Sequence, residues 1–455
     1  MSIKGPSSLK RFLLVCGFTV LALPVFAQTA AQTRYVVEAA PVVNIGSLAS
    51  KYSFVVIKSF PSATEVSYSI NAVQPFSAAT FHSLSLEPGV LRIDTNSEID
   101  SSEADHASAA KAKLEALGDL FDNPVGVNFY GNRVLRTYVN QPGTRIIELN
   151  AAHQSYGAGS GIVAIIDTGV DPNHPALRGA LVPGFDFTRD RPDTVSEMND
   201  LDPAVAAALN QSTVEILDSK DVVVSLSQST VEILDQSTVE ILDGKRLPSA
   251  FGHGTMVAGL VHLVAPNAQI MPLKAFHADG SASLYDVVRA IRYAADHGAN
   301  VISMSFSYSV NSPVLQAAID YAHSRGVALV SSSGNRGQHL AVYPAAYSGV
   351  IGVGSTNFSD RRSPFSNFGY SAKTSAPGEA LITLFPGGNY AAVWGTSFST
   401  ALVSGSVSLM RNIYPRMEYG TIRDALDHGV QVDLDMGDGR LDLMRSLLYC
   451  LHPGD

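Results

Sequence analysis

From residue 159 onward the chain alternates short apolar runs with amphipathic stretches. Ile162 to Ile166, Ile270 to Leu273, Val301 to Met304, Val327 to Val330 and Val350 to Val353 are near-continuous apolar segments of strand length. Such runs mark strands buried on both faces. Between successive runs, Ser283 to His297 and Pro313 to Ser324 repeat apolar residues at helical spacing. Strand, helix, strand in this order predicts right-handed crossovers and an α/β fold, a doubly wound, mostly parallel sheet flanked by helices. Such a sheet carries its chemistry beyond the carboxyl ends of its strands, so the residues just after each run are the ones to inspect.

Ahead of this region, residues 28–140 show a mixed pattern. Tyr52 to Ile57 and Val66 to Ile70 read as strands, and Asp105 to Phe121 as an Ala-rich amphipathic helix, which predicts a small α+β unit. The first residues differ again: Lys4, Lys10 and Arg11 precede an apolar run from Phe12 to Phe26 that closes on Val25-Phe26-Ala27. This is the pattern of a secretory signal peptide cut after Ala27. A membrane anchor is the competing reading, but the run of roughly 15 residues is short of the about 20 needed to span a bilayer. Leu13-Leu14-Val15-Cys16 resembles a lipoprotein signal, but Val15 is too large for the position before the cysteine.

Composition narrows the classes. In 455 residues, 46% are hydrophobic and 16% charged, with 37 Gly and 23 Pro, which suits a tightly packed, turn-rich globular protein. Without Lys4, Lys10 and Arg11 the formal charge moves from -10 to -13, and so acidic a surface repels phosphate backbones, which argues against nucleic acid as a partner. Of the two cysteines only Cys450 lies outside the leader, so no intrachain disulfide is expected.

Three segments carry candidate chemistry. Asp167-Thr168-Gly169-Val170-Asp171 follows the first apolar run, placing Asp167 at a strand's carboxyl end. Alone this is also what a tight turn looks like, and aspartic proteases, which use Asp-Thr-Gly too, need two such carboxylates. Phe251-Gly252-His253-Gly254-Thr255-Met256-Val257-Ala258-Gly259 sets a histidine between glycines at the start of an apolar helix. Small neighbours allow another backbone to approach the imidazole, and a helix N-terminus disfavours its protonated form. The other reading of His253 is a helix cap; His262 and His277 read as ordinary core or surface residues. Gly395-Thr396-Ser397-Phe398-Ser399-Thr400-Ala401 precedes another apolar helix, where a first-turn hydroxyl lies beside unpaired backbone N–H groups. Ser399 or Thr400 would serve as the exposed hydroxyl as well as Ser397 would, and a Ser/Thr helix cap is the alternative.

Taken together, Asp167, His253 and Ser397 occur in the chain order Asp, His, Ser, each inside surroundings that resemble the subtilisin family of serine proteases. Ser332-Ser333-Gly334-Asn335 is similar to the family's oxyanion-hole segment, and Ser305-Phe306-Ser307 to the strand that lines its primary pocket. The likeness continues through Val301 to Ser305, Tyr343-Pro344-Ala345, Ser366-Asn367-Phe368-Gly369, Ala376-Pro377-Gly378 and Gly437-Asp438-Gly439-Arg440, and so covers 141–455. The departures are Ala401 and Leu402, where the family has Pro and His, and Ser307, where it usually has Gly.

The resemblance implies an exported endopeptidase in which Ser397 is the nucleophile, His253 the base, Asp167 its orienting partner and Asn335 an oxyanion donor. Substrates would be proteins or peptides lying along Ser305 to Ser307 and Ser332 to Gly334, with a primary pocket made shallower by Ser307. No organic cofactor is required. Calcium is raised as a structural ion, with the loop from Phe185-Asp186-Phe187 to Asp193 as a source of oxygen ligands, against the reading that this acidic loop is simply solvated. By analogy, 28–140 would be a propeptide that assists folding and blocks the site. The alternatives are a catalytically silent peptide-binding protein on the same fold, or an esterase or peptide ligase.

One feature is not explained by the resemblance. Within an insertion near 195–247, Gln-Ser-Thr-Val-Glu-Ile-Leu-Asp occurs three times, at Gln211 to Asp218, Gln228 to Asp235 and Gln236 to Asp243. Thr-Val-Glu-Ile favours a strand. The tandem copies are expected to pair antiparallel through a turn at Asp235-Gln236, the alternative being a solvated linker.

Overall fold

The computed structural model describes residues 33–62, 64–100, 125–192, 194–211, 224–225, 230–233, 247–432 and 435–452. The expected leader, the helix at Asp105 to Phe121 and the first and third octapeptides beyond Gln211 lie outside the described residues.

A seven-stranded sheet forms the centre of the molecule. Its strands lie in the order Thr374–Pro377, Val350–Thr356, Ala328–Ser332, Val301–Met304, Ile162–Asp167, Gln269–Lys274 and Phe185–Asp186, every pair parallel. Alternate side chains of Ile162–Asp167 enter opposite cores. Val163 and Ile165 pack with the helices His253–Val264 and Thr396–Ile413, whereas Ala164 and Ile166 pack with Leu284–Asp296 and Pro313–Ser324. The apolar runs in the sequence therefore mark strands covered on both faces.

Helix boundaries follow local chemistry. Ser283 caps Leu284–Asp296 by accepting from Asp286 N at 3.1 Å and donating to Asp286 Oδ2 at 2.7 Å. Ser312 caps Pro313–Ser324 by accepting from Leu315 N at 3.1 Å, with Pro313 in the first turn, where its missing N–H costs nothing. The order of strands reverses around Ile162–Asp167, whose neighbours Gln269–Lys274 and Val301–Met304 are fed from opposite sides. The crevice at their carboxyl ends is thus the topological switch point, and Asp167, Lys274 and Ser305 border it.

The N-terminal unit is a four-stranded antiparallel sheet, ordered Phe54–Pro61, Val66–Ala72, Arg34–Ala39, Val90–Thr95, with helices Ile45–Tyr52 and Ala78–Ser85. Tyr35, Val37 and Ala39 fill its own core with Leu48, Phe54, Ile70 and Leu84. The intervening residues face the larger domain: Val36 joins the core of the helix Leu284–Asp296, and Glu38 meets Arg292 of that helix at 2.8 Å. Arg292 is 1% exposed and also pairs with Glu65, while Arg92 reaches Glu38 at 2.7 Å and Glu65 at 2.8 Å. Burial pushes the Glu38 carboxyl up and the Arg292 charge pulls it down, with Glu65 pushing up again. Beyond Thr95 the backbone continues as Glu98–Asp100, antiparallel to Ser281–Ser283.

Of the three octapeptides, the second supplies a described strand. Thr230–Ile233, the Thr-Val-Glu-Ile of the second octapeptide, is a strand, while the third copy, its expected partner, lies outside the described residues. It lies antiparallel between Val224–Ser225 and Asn389–Trp394, with Thr230 opposite Trp394 and Ile233 opposite Ala391. Asn389–Trp394 forms a hairpin with Leu381–Phe385, and its outer edge presents unpaired backbone groups that an extended segment satisfies at once.

Replacing Arg292 by Met leaves Glu38 and Glu65 buried with only Arg92 as a cation, which should cost about 3 kcal/mol. Chemical denaturation of the whole chain would measure it, and a loss below about 1 kcal/mol would show that Arg92 alone suffices.

Candidate active site

Asp167 ends its strand, and its main-chain carbonyl accepts from Ala275 N at 3.1 Å and Phe276 N at 3.2 Å in the adjoining segment. Its Oδ1 accepts from Thr168 N at 2.8 Å and lies 2.8 Å from His253 Nδ1. The two residues are 86 positions apart and are 4% and 5% exposed. His253 opens its helix behind Gly252, whose φ of 87° is left-handed and favours glycine.

The loops that follow Asp167 and His253 cross at backbone contact. A Cβ on Gly254 would fall 1.9 Å from Gly169 O, so the glycine after His253 admits the main chain that follows Asp167. Asp171 extends this junction: its N–H donates to Thr255 Oγ1 at 2.8 Å, and its Oδ2 accepts from Gly387 N at 2.8 Å in the hairpin turn.

Glu197, which nothing in the sequence singled out, lies inside the crossing with no exposed surface. Its Oε1 accepts from Thr168 Oγ1 at 2.6 Å and Gly254 N at 2.9 Å, and its Oε2 from Thr255 Oγ1. Burial pushes this carboxyl up to about 7, although the two threonine hydroxyls draw it down; Asp167 adds to the rise and Lys274 opposes it. Burial alone would lower the His253 imidazole. The Asp167 carboxylate, with Glu197 behind it, more than offsets that and holds the ring above its ordinary 6.5.

Ser397 sits in the first turn of the helix Thr396–Ile413. Its Oγ donates to Ser305 O at 3.3 Å, and Ser305 Oγ donates back to Ser397 O at 3.1 Å. His253 Nε2 is buried with no hydrogen-bond partner among the described residues. The aspartate–histidine link is therefore made and the serine–histidine link is not. The two neighbouring hydroxyls are committed elsewhere: Ser399 Oγ donates to Ala376 O at 3.0 Å and Pro377 O at 3.1 Å, and Thr400 Oγ1 back-bonds to Thr396 O at 2.8 Å. Ala401 and Leu402 are fully buried in the helix's packing face.

Asn335 follows the strand Ala328–Ser332 through Ser333 and Gly334, the latter at a left-handed φ of 91°. Its Oδ1 accepts from Thr396 N and Thr396 Oγ1, both at 2.8 Å, which fixes the amide beside Ser397. Asn367 holds this loop, donating from Nδ2 to Ser333 O at 2.9 Å and accepting at Oδ1 from Arg336 N and Gln338 N at 3.1 Å. That accounts for the Ser366-Asn367-Phe368-Gly369 segment. Ser332 Oγ donates to Phe306 O at 3.2 Å, so Ser305, Phe306 and Ser307 and Ser332, Ser333 and Gly334 stand side by side beyond adjacent strands. His253, Asp167, Ser305 and Phe306 line one small pocket.

His262 is buried against Phe129, its ring pushed down to about 4 by burial, and His277 is exposed; neither enters this constellation. In the loop considered for an ion, Asp186 accepts from Thr188 Oγ1, Arg189 and Thr194 Oγ1, and Asp190 pairs with Arg289. Among the described residues no three His, Cys, Asp or Glu side chains are grouped as metal ligands would be, and no helix is long and apolar enough to cross a membrane.

Comparison with known proteins bears on family and fold. Residues 159–442 match the sequence profile of the Subtilase family. Thermitase from Thermoactinomyces vulgaris is 32% identical over 263 residues, 55% of this chain and 75% of that protein. A thermophilic serine proteinase from Bacillus sp. (strain AK1) is 31% identical over 248 residues, 54% of this chain and about half, 51%, of that protein's length. Among solved structures, fervidolysin from Fervidobacterium pennivorans, described as a keratinolytic enzyme related to subtilisin, superposes with a TM-score of 0.64 at 20% identity. That superposition covers 93% of this chain and 62% of the other, and supports the fold.

Asp167→Asn removes the charge that holds the His253 ring up, leaving burial to dominate, so the ring should titrate below 6.5 rather than above it. NMR titration of the His253 imidazole in the two proteins checks the reversal.

Proposed function

The chain belongs to the subtilase family of subtilisin-like serine endopeptidases, and on that premise we propose that it cleaves peptide bonds, after export, by acyl transfer through Ser397. His253 takes the hydroxyl proton as Ser397 Oγ bonds to the substrate carbonyl carbon, then returns it to the leaving amine; Asp167 orients the ring and stabilises the imidazolium. The Ser397 N–H and the Asn335 side-chain amide receive the developing oxyanion, a contribution of roughly 3 to 4 kcal/mol from such a donor.

The observation that carries this reading is the 2.8 Å bond from His253 Nδ1 to Asp167, because it turns Nε2, buried and without a partner, toward the acceptor role. The Ser397 hydroxyl is held away from that role by a weak bond to Ser305 O at 3.3 Å, so little opposes its turning toward Nε2. Ser399 and Thr400, bonded to main-chain carbonyls, are poor candidates.

The N-terminal unit serves as a folding aid and inhibitor that is later removed. Its docking through Arg292, Asn96 Oδ1 accepting from Tyr285 N at 3.0 Å, and the Glu98–Asp100 pairing supports this role. The apolar leader pattern at 1–27 supports export.

A fluorophosphonate should label the wild-type protein at Ser397. Ser397→Ala, His253→Ala and Asp167→Asn should each reduce peptide hydrolysis by about a thousandfold or more, and Asn335→Ala by roughly 100- to 1000-fold in kcat with little change in KM. Ser397→Ala should also retain the N-terminal unit that active protein sheds, read by N-terminal sequencing. Absent labelling would point to a silent peptide-binding protein, and labelling with turnover confined to ester or amine-acceptor substrates would point to an esterase or ligase.

Ser307 stands half-buried at the end of the segment proposed to line the primary pocket, and its hydroxymethyl group takes space a glycine would leave. Small or medium apolar side chains should therefore be preferred before the cut. A peptide library in which Phe or Tyr clearly wins there would overturn this assignment.

A further inference from the structure

Glu197 belongs to none of the segments that carry the family likeness, yet both halves of the Asp167–His253 pair are tied to it. One carboxylate oxygen accepts from the hydroxyl of Thr168, next to Asp167, and from the N–H of Gly254, next to His253. The other accepts from the hydroxyl of Thr255. The same Thr168 hydroxyl oxygen accepts from Gly254 N at 3.0 Å, closing a small ring of bonds between the two segments. Gly169 packs against Glu197 as well: a Cβ there would meet Val195 O at 2.3 Å and Glu197 Cγ at 3.3 Å.

Taking a carboxylate out of water is costly; both oxygens accept here, whereas an amide would offer one acceptor oxygen in place of the two that take Thr168, Gly254 and Thr255. The buried charge acts as well on the nearby groups that respond to charge. Four titratable groups face it. Asp167 and His253 lie across the junction, Lys274 donates to Thr168 O at 2.6 Å, and Asp200 neutralises Lys274 at 2.7 Å. Of these, His253 is the group whose charge changes during the proposed reaction.

We propose that Glu197 is a positioning residue for the catalytic pair: its carboxylate clamps Thr168 to Gly254 and Thr255, so that Asp167 meets His253 Nδ1, and its charge stabilises the imidazolium formed when Ser397 gives up its proton. Glu197 itself exchanges no proton in that step. The proposal rests on the assignment of Asp167, His253 and Ser397 as the triad. The direction of the His253 shift agrees with it, since Glu197 contributes to holding the ring up. With the carboxyl itself pushed up to about 7, acidification through neutrality removes this support as it protonates the imidazole.

Two variants separate charge from reach. Glu197→Gln keeps the length and one acceptor oxygen but loses the charge and the second acceptor; Glu197→Asp keeps the charge and both acceptors but falls short of the junction. His253 is titrated by NMR in a Ser397→Ala background, and kcat and KM for a small chromogenic peptide are measured with Ser397 intact. For Glu197→Gln the imidazole midpoint should move down, and kcat should fall on the order of tenfold to a hundredfold with KM within about twofold, as small misplacements of reacting groups do. For Glu197→Asp the midpoint should stay and kcat should fall. A lower melting temperature with wild-type midpoint and kcat would assign Glu197 to structure alone and overturn the proposal; if Glu197→Gln does not fold, wild-type kcat in folded Glu197→Asp does the same. Fluorophosphonate labelling of the wild type reports separately on the triad. A shifted midpoint without labelling leaves the clamp standing and removes the triad, and labelling with an unshifted midpoint does the reverse.

Discussion

The approach of two main chains at Gly169 and Gly254 governs the rest of the site. With 1.9 Å between Gly169 O and the position a Cβ on Gly254 would take, the His253 segment cannot carry a side chain there without being pushed away from the one that bears Asp167. Each segment is held from behind by a different layer of the fold. Asp167 is the last residue of a central parallel strand, and His253 is the first residue of a helix buried along its whole length. The sheet and the helix can be rigid because they are packed; the crossing converts that rigidity into a fixed distance between two side chains far apart in sequence. Glu197, Thr168 and Thr255 then satisfy the polar groups that so close a crossing takes out of water.

The parts of this arrangement legible in the sequence were those whose physics is local. Continuous apolar runs gave the strands, because a strand covered on both faces has no polar side to show. Ser283 and Ser312 stood just ahead of the helices they cap, and the glycines around His253 marked a place where backbones meet. Residues whose meaning depends on distant neighbours were not legible. Glu197 looks like one more acidic residue at the edge of an insertion, and only the fold brings it under both motifs. The choice among Ser397, Ser399 and Thr400 likewise needed tertiary structure, since the carbonyls of Ala376 and Pro377 that occupy Ser399 come from another strand.

The same distinction explains the repeat. Thr-Val-Glu-Ile was readable as a strand from its composition, but a strand's partner is set by whichever edge is available. The edge on offer was Asn389–Trp394, whose far end leads directly into Gly395, Thr396 and Ser397. A β-ladder tests the backbone and the extended tendency of the residues, and places few demands on which stretch of chain supplies them.

That indifference has a genetic side. The three octapeptides are one string of residues, and the ladder on Asn389–Trp394 engages four residues of a single copy. Loss or gain of a unit during replication would change the length of chain between Asp167 and His253 by eight residues, yet leave an identical strand to fill the same place. Copy number in this segment can therefore drift between lineages as a tuner of loop length, while the strand beside the serine-bearing hairpin keeps its sequence.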